Sequence, residues 1–95
     1  MITAIIPCLN EEKSIAITIK EIRESSKLIS EIIVVDNGSS DETVKVAKSA
    51  KAKVVSEPIR GKGFAFRKGL SLVNAESKLV FLVDGDATYS VDRID

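Results

Sequence analysis

Four short apolar runs, Ile2 to Ile6, Ile32 to Val35, Lys53 to Val55 and Leu79 to Val83, constrain this chain more than any other feature. Each is strand-length and rich in Val and Ile. Their hydrophobicity is near-continuous instead of alternating, which is the mark of strands covered on both faces, as in a parallel sheet. A parallel sheet needs crossover connections, and the segments between the runs carry helical spacing. Ile15, Ile19, Ile22 and Ile29 recur at intervals of 4, 3 and 7. Val44, Ala47 and Ala50 recur at 3, and Phe66, Leu70 and Val73 at 4 and 3.

Helix starts are expected where capping residues precede acids. Asn10 followed by Glu11 and Glu12 offers one, and Ser39 or Ser40 followed by Asp41 and Glu42 another. The reading is β-α-β-α-β-α-β, a Rossmann-like three-layer α/β/α half-domain with parallel strand order 3-2-1-4. At 95 residues the chain is expected to form one domain, 1–95.

Lys and Arg number 14 and Asp and Glu 14, so the net positive field that drives non-specific nucleic-acid binding is missing and no nucleic-acid partner is expected. The balance hides an asymmetry. Residues 45–78 carry nine bases against two acids, and the remainder is correspondingly acidic. Such a pattern fits an anionic ligand beside a cation site or, for the lysines of 45–53, solvated helix faces. Histidine is absent, which removes Ser-His and Cys-His nucleophile pairs and His-zinc sites. Cys8 is the one cysteine, so no internal disulfide can form, and it reads as a small packed residue. No apolar run reaches the ~20 residues of a membrane span. A cytoplasmic location is expected, with peripheral membrane association as the variant.

In open α/β sheets ligands sit at the carboxyl ends of the strands, beside the point where strand order reverses, here between strands one and four. Four loops therefore carry the candidate chemistry: Pro7 to Glu11, Asp36 to Asp41, Glu57 to Gly63 and Asp84 to Tyr89. Asp84-Gly85-Asp86 offers two carboxylates at a strand exit, hard oxygen donors suited to Mg²⁺ or Mn²⁺ with substrate phosphates, or else a turn. Asp36 can accept from a ribose hydroxyl or a base N–H, or serve the turn of Asn37, Gly38 and Ser39. The first loop lacks G-x-G-x-x-G, which argues against a nicotinamide or flavin cofactor. Gly61-Lys62-Gly63 at a helix start makes an anion site or a solvated loop. Phe64 and Phe66 are expected in the core.

In order and spacing, Ile5-Ile6-Pro7-Cys8-Leu9-Asn10-Glu11-Glu12, Val34-Val35-Asp36-Asn37-Gly38-Ser39-Ser40-Asp41, Gly61-Lys62-Gly63 with Arg67, and Asp84-Gly85-Asp86 resemble the family-two, GT-A-type glycosyltransferases, nearest to the polyprenol-phosphate (dolichyl-phosphate) sugar transferase branch. The resemblance spans nearly the whole chain. It implies that Pro7, Leu9, Asn10, Glu11 and Asp36 hold the base and ribose of a UDP- or GDP-sugar. Lys62, Gly63 and Arg67 would approach the nucleotide or its phosphates. Asp84 and Asp86 would form the metal site for Mg²⁺ or Mn²⁺, with Asp86 the direct ligand and Asp84 nearer the ribose or a metal-bound water. The implied activity is inverting hexosyl transfer to a polyprenyl phosphate or another sugar acceptor.

Thr88 stands where the mannosyltransferase branch often has glutamine, and no residue is nominated as a catalytic base. Because Asp95 falls where the next helix should begin, the chain is read as the donor-binding N-terminal half of such an enzyme, C-terminally truncated and inactive alone. The alternative is a non-catalytic nucleotide-binding module or truncated remnant. A strand four lacking its later cover would expose an apolar edge or face, from which a homo-oligomer is expected.

Overall fold

The computed structural model describes residues 2–77 and 79–83 together with the backbone placement of Asp84 and of 87–92. The chain runs β1 (Ile2–Cys8), α1 (Ile15–Ser25), β2 (Ile29–Asp36), α2 (Thr43–Ser49), β3 (Lys53–Ser56), α3 (Lys62–Ser71), β4 (Leu79–Asp84) and β5 (Ala87–Asp92). Strand order is β3-β2-β1-β4-β5. The first four strands are parallel in the expected order, and β5 adds antiparallel to β4.

Alternation along the central strands divides the interior in two. Ala4, Ile6, Cys8, Ile32 and Val34 pack with Ile15, Ile19 and Ala47 beneath α1 and α2. Ile5, Ile33, Val35 and Val80 pack with Ala65 of α3 on the opposite face. Neighbours in sequence thus feed different cores, which is why the runs read as continuous. Each fully buried Ile or Val contributes roughly 1.5–3 kcal/mol. Gly69 sets how closely α3 lies on the sheet, because a Cβ there would fall 2.5 Å from Ile5 Cγ2.

Several boundaries differ from the sequence reading. Ile29 continues the spacing of the first helix but opens β2, since α1 ends at Ser25. Val73 likewise lies beyond the end of α3. Helix α1 starts at Ile15, with Ser14 and not Asn10 at its N-cap, and α2 starts at Thr43 behind Glu42. The polar residues offered as caps make bonds between loops instead. Phe66 is half-buried against the α3-side core, but Phe64 is 42% exposed beneath the Arg67 guanidinium, 5.9 Å from its ring centre. The stretch Asp84 to Tyr89, expected as a loop, holds the start of β5: Leu79↔Asp92 through Asp84↔Ala87 are in register. The edge of the sheet on this side is therefore β5 and not β4.

Candidate functional site

Strand β1 pairs with β2 as far as Cys8↔Asp36 but with β4 only from Ile2↔Leu79 to Ile5↔Leu82. Pro7 supplies the reason. The Cys8 carbonyl accepts the Asn37 N–H on the β2 side at 3.0 Å, so backbone alternation turns the Pro7 nitrogen toward β4, where it has no hydrogen to donate. The expected first loop therefore begins after Cys8, with Pro7 half-buried inside the strand. The sheet parts at its topological switch point, between the carboxyl ends of β1 and β4.

The loop after β1 is joined to the loop after β2 by three successive amides. Asn10 N–H donates to Ser39 Oγ at 2.9 Å, and that hydroxyl donates to Asp36 Oδ1. Glu11 N–H donates to Thr43 Oγ1 at 2.8 Å, and that hydroxyl donates to Asp41 Oδ1. Glu12 N–H donates to Asp41 Oδ2 at 3.2 Å. In return Asn10 Oδ1 accepts from the Ser40 amide and hydroxyl and from the Asp41 amide, at 2.8, 3.3 and 3.4 Å. Asn10 reaches this position with φ of +52°, a left-handed conformation that Asn tolerates better than most residues. Thr43 is fully buried, so its hydroxyl needs both partners.

Asp36 is 6% exposed. Its carboxylate accepts from the Gly38 amide at 3.1 Å and from the Ser39 amide and hydroxyl, while the Cys8 thiol lies 3.9 Å from Oδ1. Asp36 thus fills the turn role considered for it. Burial, with the Asp36 and then the Glu11 carboxylate nearby, pushes the Cys8 thiol up to about 12. It is protonated at neutral pH and a poor nucleophile, as expected of a packed cysteine. The Thr43 hydroxyl bond holds Asp41 below the usual carboxylate range.

The third loop joins through Asn37, whose side-chain amide donates to the carbonyls of Glu57 at 3.0 Å and Ile59 at 3.2 Å. Sequence reasoning saw Asn37 only as a turn residue; no motif signalled this bridge. Beyond it, residues 58–64 are all exposed, Gly61 adopts φ of +134°, and α3 opens at Lys62. Leu9, 37% exposed, and Ile59, 54% exposed, present apolar surface from the first and third loops. Arg67 lies one turn into α3, over Phe64. Of the Asp-Gly-Asp segment, Asp84 closes β4 beside the gap, and Asp86 lies outside the described residues. Among the described residues no group of three His, Cys, Asp or Glu is placed to hold a metal ion.

Residues 3–95 match the sequence profile of glycosyl transferase family 2. The chain belongs to this family. Relatives of this chain include protein RfbJ of Shigella flexneri, 44% identical over 88 residues that cover 93% of this chain and 66% of RfbJ. Glucosyl-3-phosphoglycerate synthase of Petrotoga mobilis is 41% identical over 92 residues, 90% of this chain and 27% of its own. Among solved structures, glucosyl-3-phosphoglycerate synthase from Mycobacterium tuberculosis in complex with Mn²⁺ and UDP-glucose superposes with a TM-score of 0.76 at 35% identity. It is matched over 90% of this chain and 33% of that one. The fold is the GT-A type, and the chain spans less than two thirds of these relatives' lengths. No helix among the described residues is long and apolar enough to cross a membrane.

Proposed function

We propose that this chain is the donor-binding portion of an inverting, divalent-metal-dependent glycosyltransferase that takes a UDP- or GDP-sugar, forming one domain over 1–95 and working in the cytoplasm. The parting of β1 from β4 carries the reading, because it opens the sheet where the first two loops and Asp84 converge. The Mycobacterium tuberculosis synthase, described in complexes with Mn²⁺ and UDP-glucose and with Mg²⁺ and UDP, supports it.

In this reading Pro7, Leu9, Asn10, Glu11 and Asp36 flank the base and ribose. Leu9 offers an apolar surface, and Asp36 an acceptor for a ribose hydroxyl or base N–H. Lys62, Gly63 and Arg67, at the opening of α3, lie toward the phosphates, where exposed helix N–H groups and cationic side chains favour an anion. Asp84 and Asp86 hold the divalent cation. The donor set fits: two hard carboxylates on either side of Gly85, with substrate phosphates completing the shell as Mg²⁺ prefers. When bound, the cation neutralises charge gathering on the departing diphosphate. The acceptor oxygen of a polyprenyl phosphate or a sugar forms the new bond to the anomeric carbon from the face opposite the breaking C–O bond, so configuration inverts.

Calorimetric titration of UDP, GDP and their sugars, with and without Mn²⁺, tests this. Metal-dependent binding is expected, and Asp86→Ala should remove the metal-dependent part. Failure of every nucleotide to bind, or binding indifferent to both metal and Asp86→Ala, overturns the reading.

A further inference from the structure

Two matched relays leave the loop after β1. In each, an amide donates to a hydroxyl that donates to a carboxylate: Asn10 N–H to Ser39 to Asp36, and Glu11 N–H to Thr43 to Asp41. The second ends at the start of α2 and explains itself as a helix entry. The first ends on a carboxylate that opens no helix.

We infer that Asn10 and Ser39 are positioning residues for Asp36, fixing the direction from which its carboxylate meets a nucleoside; this rests on the donor-binding reading. A carboxylate has about four acceptor directions. The Gly38 and Ser39 amides take Oδ2, and the Ser39 hydroxyl takes Oδ1, where the Ser39 amide also reaches at 3.3 Å and the Cys8 thiol lies at 3.9 Å, so an incoming donor must take the place of the weak thiol contact. The Ser39 hydroxyl gives its one hydrogen to Asp36 while its oxygen accepts the Asn10 amide, so the two bonds together hold the hydroxyl in one orientation. The left-handed turn at Asn10, pinned by its side chain to Ser40 and Asp41, aims that amide. A residue on one strand's loop thereby adds to the hold that the Gly38 and Ser39 amides already have on a carboxylate of the next.

Three-bond couplings to the Asp36 β-protons, measured alongside nucleotide affinity with Mn²⁺, test this. Wild type should show one Asp36 rotamer. Ser39→Ala should average the couplings and weaken UDP or GDP binding about tenfold. Ser39→Thr, which keeps the hydroxyl, should restore both. In an Asp36→Asn background, Ser39→Ala should change affinity less than twofold, since the two act through one group. If Ser39→Ala fails to fold, Asn10→Gly, which keeps the left-handed backbone but loses the clamp, should average the couplings instead. Unaveraged couplings in whichever variant folds, or full additivity with Asp36→Asn, overturn the positioning role. A wild type that binds no nucleotide overturns the donor-binding reading, and the couplings then decide the positioning alone.

Discussion

The loops after β1 and β2 and the loop after β3 meet at the same end of the sheet but are built differently. The first pair is cross-bonded through backbone and side chain at Asn10, Glu11, Glu12, Ser39, Ser40, Asp41 and Thr43. The third is held at its root by Asn37, and every residue from Pro58 to Phe64 is exposed. In the first region polar side chains are committed to the protein, so a substitution there should register as lost stability as well as in ligand affinity. In the second, glycines and cations face solvent, and a substitution should register mainly in ligand affinity.

The strongest way to break this contrast is Asn37→Ala, which removes the two side-chain bonds between the regions and leaves the Glu57 N–H bond to the Asp36 carbonyl. Two bonds from a buried donor are lost, so about 2 kcal/mol of stability should go and Tm should fall by about 10 °C in thermal unfolding. Hydrogen exchange should quicken at Glu57 to Arg60 while the amides of Asn10 to Glu12 stay protected. Equal quickening at both would show that the regions are not separate.

Asp41→Asn probes the cross-bonded side alone. Its carboxyl is held below the ordinary value of 3.8, so in the acid range the unfolded chain binds the proton first. The wild-type advantage should be full at neutral pH, shrink as pH falls below 3.8, and vanish under the folded-state value. Unfolding in urea across pH 2 to 7 measures it, and a pH-independent difference would count against the Thr43 and Glu12 contacts as its source.

The smallest effect is expected on the exposed side. A Cβ at Gly63 meets nothing within 4 Å and φ there is not positive, so Gly63→Ala in the first turn of α3 should raise stability by about 0.5–1 kcal/mol. A fall in Tm would show that this loop is packed more tightly than its exposure indicates.

Four strands, three helices and the parallel order were legible because doubly covered strands leave short continuous runs rich in Val and Ile, here separated by segments of helical spacing. Strand β5 was not. Ala87 to Asp92 carries Thr88, Tyr89 and Val91, and a Gly-Asp pair between β-prone runs is a hairpin signal, but Gly85 and Asp86 equally fit the metal motif. Ile29 misled because a strand entry can continue a helical period by coincidence. The caps misled for a physical reason: Asn10, Ser39 and Ser40 have the hydrogen-bonding chemistry of helix starts, yet the topology brings the two loops close enough for these groups to satisfy each other. Which polar residues a site contains could be read along the chain; which of them bind one another could not, because that depends on contacts about 30 positions apart.

The proline in β1 carries one last consequence. Where Ile6, Pro7 and Cys8 run on past the last pairing with β4, the backbone leaves an open seam between the two halves of the sheet. A molecule lodged in that seam, touching both banks, would act as a stitch across it. It would therefore couple the β4–β5 hairpin to the rest of the sheet, and the amides of that hairpin would report occupancy from strands that make no contact with the nucleoside end of the ligand.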